Sequence, residues 1–182
     1  MSQLPSISDA FRQMVQLTED AIIANTSLDW GTVPKKVYFM HGNPREIVEV
    51  LQSYTASFTR KNKKYPMVHL FRDMREEISK GIYGLEPTVQ CRLVICTLTK
   101  KDLRADDRES QNFKPILLPI FEELINQISK SKLFGMPSID DMKIKKWDRY
   151  YWGSSEVDKN KLNDYIDAVE VESISLKLKN FC

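Results

Sequence analysis

Histidine, cysteine and glycine are scarce in this sequence, and each shortage removes a class of site. The 182 residues include 2 His, 3 Cys and 6 Gly. Cys91, Cys96 and Cys182 form no Cys-x-x-Cys pair, and Cys91 and Cys96 would face opposite sides of one strand. Neither His41 nor His69 has a cysteine or carboxylate at metal-ligand spacing. We therefore expect buried, reduced thiols, no metal and no cofactor.

Long apolar runs and catalytic motifs are missing as well. No run of apolar residues approaches the length of a membrane span, and the N-terminus has no basic segment followed by an apolar core. The glycine-rich phosphate loop, the nucleophile elbow and the zinc-protease motif are absent. These absences predict a soluble chain that is made in the cytoplasm, has no membrane partner and is not an enzyme.

What is present is the composition of a globular domain. Hydrophobic residues make up 42% and charged residues 29%, which is typical of a folded protein with its own core. The formal net charge of +2 is too small to indicate a nucleic-acid binder, so any electrostatic role depends on local clusters. We predict a single domain over residues 1–182.

The order of helices and strands sets the fold class. Periodic patterns predict, in chain order, a helix at 8–25, a strand at 36–42, a helix from 43, strands at 65–73 and 88–100, a helix at 112–131 and a strand at 165–179. Because helices and strands do not alternate strictly, we expect an α+β fold with a largely antiparallel sheet and helices packed on it. The inserted helix and a basic loop occupy about 43–64, and an aromatic loop occupies about 144–156.

Two helix starts are visible as local patterns. One is a capping box, in which the side chains of Asn43 and Glu46 can each accept a hydrogen bond from the backbone N–H of the other. Pro44 lies at the first helical position, where its missing N–H costs nothing. Pro115 and Pro119 are confined to the beginning of the long apolar stripe, so this helix is expected to begin near them. The charged segment 99–110 before it has no apolar face and is expected to be a solvated loop.

The last strand changes its phase of alternation. Val169 and Val171 share one phase, whereas the apolar residues from Ile174 onward share the other. A strand that changes phase would turn its apolar side chains out of the core. The switch at Glu172–Ser173 therefore predicts a β-bulge or a sharp bend.

The stretch "KKWDRYYWGSS" at residues 145–155 combines aromatic and basic side chains. Such a composition fits a stacking platform for nucleic acid, the wall of an active site or a surface that binds another protein. The candidate interface residues are Trp147, Arg149, Tyr150, Tyr151 and Trp152. We expect Trp147 or Tyr150 to be buried beside the last strand, and we favour protein docking as the role of the stretch.

Two further charged segments leave alternatives open. One is a basic tip that suits phosphate contacts or plain solubility, formed by Arg60, Lys61, Lys63 and Lys64. The other contains Asp140, Asp141 and Lys143, the residue types with which a Mg²⁺-dependent nuclease holds its metal and approaches the scissile phosphate. A solvated loop has the same composition. A small nuclease or DNA-processing enzyme is therefore the alternative function.

Three stretches of the chain resemble a group of tailed-bacteriophage structural proteins, seen in phages of Bacteroides-type hosts. They are "KYPMVHLF", "CRLVICTLTKKDLRADDRESQNFKPILLPIFEELINQIS" and "KKWDRYYWG…LNDYIDAVEVESISLKLK". The order of elements is also similar to that of tail-terminator and tail-completion proteins of the head–tail connector. The resemblance covers residues 65–130 and 145–180 and implies a tail-terminator-like fold.

The resemblance also implies a function in the assembly of the virion. It implies a virion protein of the neck or tail, made in the host cytoplasm and without enzymatic activity. Identical subunits would form a six- or twelve-fold ring around the DNA channel, a closed assembly with two different contact surfaces per subunit. The ring would dock to the portal or an adaptor on one side and to tail or neck-ring proteins on the other. The basic tip at Arg60–Lys64 lies outside the resemblance, and in such a ring we expect it to make non-specific contact with packaged DNA or to face a partner.

Overall fold

Helices and one sheet form an α+β fold, as predicted. The computed structural model describes residues 6–56, 64–71, 75–81, 84–135, 143–150 and 164–178. The helices are α1 (Ile7–Ala24), α2 (Pro44–Ala56), α3 (Ala105–Arg108) and α4 (Leu118–Lys130), and a π-helical segment (Glu109–Leu117) joins α3 to α4. The strands are β1 (Tyr38–Gly42), β2 (Met67–Phe71), β3 (Arg75–Gly81), β4 (Gly84–Leu98), β5 (Phe134–Gly135), β6 (Lys143–Tyr150) and β7 (Ile166–Leu178). Among these residues, no helix has the length and apolar character that crossing a membrane requires.

The described strands belong to one sheet with β4 at its centre. Along the sheet the order is β1-β2-β4-β7-β5. β3 lies on the β2 side and pairs with the first half of β4, while β6 pairs with β7 on the same side as β5. Within the described pairs, β1 and β2 run parallel and the others run antiparallel. The sheet is therefore largely antiparallel, and the predicted strand at 88–100 is its central member.

Alternating side chains along the strands divide the core into two parts. The larger part lies between the sheet and the layer formed by α1, the π segment and α4, where Phe11, Leu93 and Leu124 are fully buried. The smaller part lies on the opposite face, where Leu51 of α2 packs with Val94 of β4. Both faces of β4 are thus covered near its C-terminal end, which accounts for its apolar sequence.

The two cysteines of β4 lie on opposite faces of the sheet, as predicted. Cys91 packs in the larger core and Cys96 in the smaller one. Burial raises the pKa of the Cys91 thiol to about 12 and that of the Cys96 thiol well above its ordinary value. Both side chains therefore stay protonated and pack as small hydrophobic groups.

The start of α2 is the capping box that the sequence predicts. The Glu46 N–H donates to Asn43 Oδ1 at 2.9 Å, and the Asn43 N–H donates to Glu46 Oε2 at 2.9 Å. Two orphan amides at the helix terminus are satisfied in this way. The helix then buries Ile47, Val48 and Leu51 against the sheet.

β7 contains the predicted bulge. The pairing of β4 with β7 passes from Leu93↔Val171 to Cys91↔Ile174, so β7 has one residue more than β4 over this interval. The register between β6 and β7 is irregular at the same place. The extra residue brings Val171 and Ile174 into the same core although their phases of alternation differ.

The prediction of an aromatic loop over 144–156 is wrong in its first half. Residues Lys143–Tyr150 form β6, which pairs with β7. The mixed pattern of charged and aromatic residues hides this strand, because a strand at the edge of a sheet can be polar on both faces. Residues 151–156 lie outside the described part of the chain.

The long helix begins well before its prolines, at Ala105. α3 and the π segment lead without a break into α4. Pro115 lies inside the π segment, where wider turns accommodate a residue that has no N–H to donate. The expectation of a solvated loop over 99–110 is also wrong from Ala105 onward, because Arg108 is buried and its Nη1 lies 2.5 Å from Asp167 Oδ1.

Leu124 tests the packing of the larger core. Its side chain is fully buried, so Leu124→Ala should leave a cavity and lower the free energy of unfolding by about 2–5 kcal/mol. Glu122→Ala, at an exposed position of the same helix, should change it by less than ~0.5 kcal/mol. Urea titration of both variants measures the difference. Equal losses in the two variants would contradict the assignment of the buried face.

His69 makes the stability of the fold depend on pH. Burial lowers the pKa of this imidazole from 6.5 to about 3, although a hydrogen bond between its ring and the Gly42 carbonyl opposes the change. Between these two values the unfolded chain binds a proton that the folded chain does not. Stability should therefore decrease as the pH falls from 6.5 toward 3, by up to ~1.4 kcal/mol per pH unit from this group.

His69→Gln should reduce the slope of the unfolding free energy against pH in that range, as measured by urea titration at several pH values. Lys130→Gln, at an exposed position of α4, removes a group that does not titrate in this range and should keep the slope. An unchanged slope in the His69 variant would mean that the folded chain accepts the proton.

Candidate docking surface

The aromatic stretch is divided between the surface and the core. Trp147 on β6 is 41% exposed, whereas Tyr150 at the end of the same strand is 8% exposed and packs in the smaller core. The expectation that one of these two rings is buried is confirmed. The backbone of Arg149 belongs to β6. Its side chain, like Tyr151 and Trp152, lies outside the described part of the chain.

Trp147 and Tyr150 meet a carboxylate and an arginine on the face of the sheet opposite the α1–α4 layer. The Trp147 indole N–H donates to Glu170 Oε2 at 2.5 Å, and Arg92 Nε–H donates to Glu170 Oε1 at 2.6 Å. Arg92 Nη2 also donates to the Tyr150 hydroxyl oxygen at 3.1 Å. The guanidinium carbon lies 4.1 Å from the centre of the Phe71 ring. We call this set the Trp147 cluster: Phe71, Arg92, Trp147, Tyr150 and Glu170.

Mutual pairing allows the cluster to keep a carboxylate inside the protein. Glu170 is buried, and a buried carboxylate is stable only when its charge is balanced and its oxygens accept hydrogen bonds. Burial lowers the pKa of Arg92, but Tyr150 and Glu170 outweigh burial and raise this pKa above its ordinary value. Burial also raises the pKa of Tyr150 to about 12, so its hydroxyl stays neutral and accepts the arginine N–H.

Most of the lysines on β6 are held in ion pairs. Lys145 bonds to Glu172, and Lys146 lies 3.3 Å from Glu109 of the π segment. The hydrogen bond from Lys145 lowers the pKa of Glu172. Lys143, at the start of the strand, is exposed and forms no ion pair in the described ranges. The local charge around β6 is therefore close to balanced.

One residue of the predicted basic tip, Lys64, is buried in the structure. Lys64 Nζ lies 2.8 Å from Asp164 Oδ2, and the Lys64 side chain is buried. The prediction that Lys64 faces DNA or a partner is wrong, because a buried and paired ammonium group cannot reach a phosphate in solution. Arg60, Lys61 and Lys63 lie outside the described part of the chain.

No nuclease site is assembled by the described residues. Lys143 is exposed at the start of β6, while Asp140 and Asp141 lie outside the description. Within the described ranges, no group of three or more histidine, cysteine or carboxylate side chains is placed to hold a metal ion. The nuclease alternative stays a prediction.

A separate cleft of about 650 Å³ lies between the loop 29–33, the end of β4 and the π segment. Its charged lining residues are Asp29 and Lys100, and Asp29 Oδ1 already accepts the Gly31 N–H at 2.8 Å. The Trp30 indole N–H is buried without a hydrogen-bond partner among the described residues. These groups contain neither a nucleophile–base pair nor a carboxylate pair, so the cleft gives no indication of catalysis.

Arg92 and Glu170 are the members of the cluster that no sequence motif indicates. Each is a single charge in an apolar strand segment, "CRLVIC" and "AVEV". A charge in such a run must find a partner or solvent, and this signal marks both residues. Their mutual pairing depends on the register of β4 against β7, which the bulge shifts beside them. That register cannot be predicted from local sequence patterns.

Known proteins offer no relative from which a role could be transferred. No protein-family model, no curated protein and no solved structure matches the chain. The resemblance to phage connector proteins therefore stays a prediction. The candidate docking surface is defined by the geometry of the Trp147 cluster.

Proposed function

We propose that the protein is a structural subunit that docks to other proteins through the Trp147 cluster. The observation that carries the proposal is the state of Trp147, whose N–H is held by Glu170 at 2.5 Å while the side chain stays 41% exposed. An aromatic side chain that is already fixed at the surface loses little conformational freedom when a partner covers it. Tryptophan, tyrosine and arginine are also the residues that dominate interface energies.

The charges near the cluster favour a protein partner over a nucleic acid. Binding to phosphates depends on lysine and arginine side chains that can replace counterions. Lys145 and Lys146 on β6 are already paired with glutamates, and Glu170 adds a carboxylate beside Trp147. A polyanion would meet these carboxylates, whereas a protein interface commonly mixes aromatic, arginine and paired charged residues.

The proposed setting is the neck or tail of a bacteriophage particle, in a ring of identical subunits around the DNA channel. A closed ring requires two different contact surfaces on each subunit. Among the described strands, β1 pairs only with β2 and β6 pairs only with β7, so the sheet has two different edges. These two edges are suited to form the two contact surfaces between neighbouring subunits. Portal-side proteins would then lie above the ring and tail proteins below it.

The copy number of the chain in purified phage particles tests this function. A ring subunit should be present at a fixed small number, ~6 or ~12 copies per particle, by quantitative mass spectrometry against labelled standard peptides. The major capsid protein in the same sample is the internal reference. Absence from the particle would discard the connector function, and a Mg²⁺-dependent cleavage assay of wild type and Asp141→Ala would then test the nuclease.

Two substitutions on β6 separate docking from stability. Trp147→Ala should lower the free energy of unfolding by no more than ~2 kcal/mol, since a partly exposed side chain and one hydrogen bond are lost, but should weaken docking by ~2 kcal/mol or more. Tyr150→Ala should destabilise the fold itself by ~3–5 kcal/mol, because that ring is buried.

The docking effect can be measured in cells that produce equal amounts of the wild-type and Trp147→Ala chains during infection. Mass spectrometry of the particles should find the variant depleted about 30-fold, the ratio that corresponds to ~2 kcal/mol. Lys130→Ala, at an exposed position of α4, is the control and should enter particles like the wild type. Equal incorporation of the Trp147 variant would remove this residue from the docking surface.

A further inference from the structure

The guanidinium of Arg92 uses only part of its hydrogen-bonding capacity within the chain. Its Nε–H donates to Glu170 at 2.6 Å and its Nη2 to the Tyr150 hydroxyl at 3.1 Å. A guanidinium has more N–H donors than these two contacts use, and Nη1 donates to no residue in the described ranges. The side chain is 37% exposed, so an unused part of the group is open to a ligand.

Arg92 is also held in one orientation. Its guanidinium lies over the Phe71 ring at 4.1 Å and is fixed in its plane by Glu170 and Tyr150. A planar donor group that is already positioned loses little freedom when it forms another hydrogen bond. The remaining donors of Arg92 are therefore preorganised for an acceptor.

Trp147 adds an apolar surface next to these donors. Its indole N–H and the Arg92 Nε–H bind the two oxygens of the same Glu170 carboxylate. The exposed parts of Arg92 and Trp147 therefore flank one place on the sheet, the position of Glu170. The Trp147 ring also meets the Tyr150 ring at a steep angle, with 6.1 Å between the ring centres. A ligand at this place would contact a cation and an aromatic ring together.

The neighbouring charges favour a single carboxylate as the ligand. Glu170 balances Arg92, Glu172 balances Lys145, and the exposed side chains of Lys143 and Asp148 on β6 carry opposite charges. The local charge is therefore close to balanced. The two glutamates would repel a doubly charged phosphate more strongly than they would repel a singly charged carboxylate. A carboxylate also matches the planar guanidinium.

We propose that Arg92 and Trp147 together recognise an extended segment of a partner protein in which an Asp or Glu lies beside an apolar residue. Arg92 Nη1 donates to the carboxylate, and the Trp147 ring packs against the apolar side chain. The partner is a polypeptide different from this chain. This recognition rests on the proposed docking function and specifies the chemistry of its partner.

Binding of short synthetic peptides to the purified full-length chain, measured by fluorescence anisotropy, tests this recognition. The probes are peptides with Glu beside Leu, the same peptides with Gln or phosphoserine in place of Glu, overlapping peptides of this chain's own sequence, and a single-stranded oligonucleotide. The Glu peptides should bind about tenfold more tightly than their Gln counterparts, because they gain charge-assisted hydrogen bonds from Arg92.

Arg92→Lys tests the role of the guanidinium. Lysine keeps a positive charge beside Glu170 but lacks the planar fork, so the preference for Glu over Gln peptides should disappear while the fold stays intact. Lys143→Gln removes a nearby charge outside the cluster and should keep the preference. If Arg92→Lys does not fold, the double variant Arg92→Gln/Glu170→Gln removes both charges of the pair and should abolish the preference as well.

Three results would overturn the proposed recognition. The first is a wild-type chain without a preference for Glu peptides, and the second is a preference that survives in Arg92→Lys. The third is tighter binding of the oligonucleotide, the phosphoserine peptides or a peptide of this chain. None of these results alters the copy number in phage particles, so the docking function and its proposed partner chemistry can fail independently.

Discussion

A buried ion pair between Arg108 and Asp167 fixes how the start of the long helix is placed against the sheet. Asp167 accepts hydrogen bonds from Arg108 Nη1 at 2.5 Å and from Asn112 Nδ2 at 2.7 Å. Arg108 donates further bonds to the Thr99 hydroxyl and to two main-chain carbonyls of the turn that follows β4. Such a pair is stable inside a protein only when its remaining donors and acceptors are also satisfied. The network joins the start of the long helix, the end of β4 and the start of β7.

This network lies on one face of β7, so the side chains on the opposite face of the strand can form a different site. Asp167 faces the helical layer, whereas Glu170, three residues along the same strand, faces the other side, as the twofold alternation of a strand requires. The helical layer thus supports the sheet from one side, and Arg92 and Trp147 gather around Glu170 on the other. A binding surface built on a supported strand is more rigid than one built on a loop.

Features encoded over a few neighbouring residues could be predicted from the sequence. The capping box at Asn43, the bulge near Glu172 and the opposite placement of the two strand cysteines depend on local geometry alone. The helix start at Ala105 and the strand β6 cannot be predicted from local patterns, because both depend on partners far along the chain. Arg108 needs Asp167, and the polar β6 is a strand only because β7 pairs with it. The pairing of Arg92 with Glu170 was hidden for the same reason.

The bulge in β7 has a consequence for how such a chain can change during evolution. Deleting one residue between Val171 and Ile174 would remove the bulge and leave two residues of β7 opposite two of β4. Ile174 and Leu176 would then alternate regularly with Val171 and would still face the larger core. The bulge is therefore a place where the length of this strand can change by one residue without turning its later side chains out of the core. A deletion elsewhere in the strand has no bulge to remove and would turn the side chains that follow it to the opposite face.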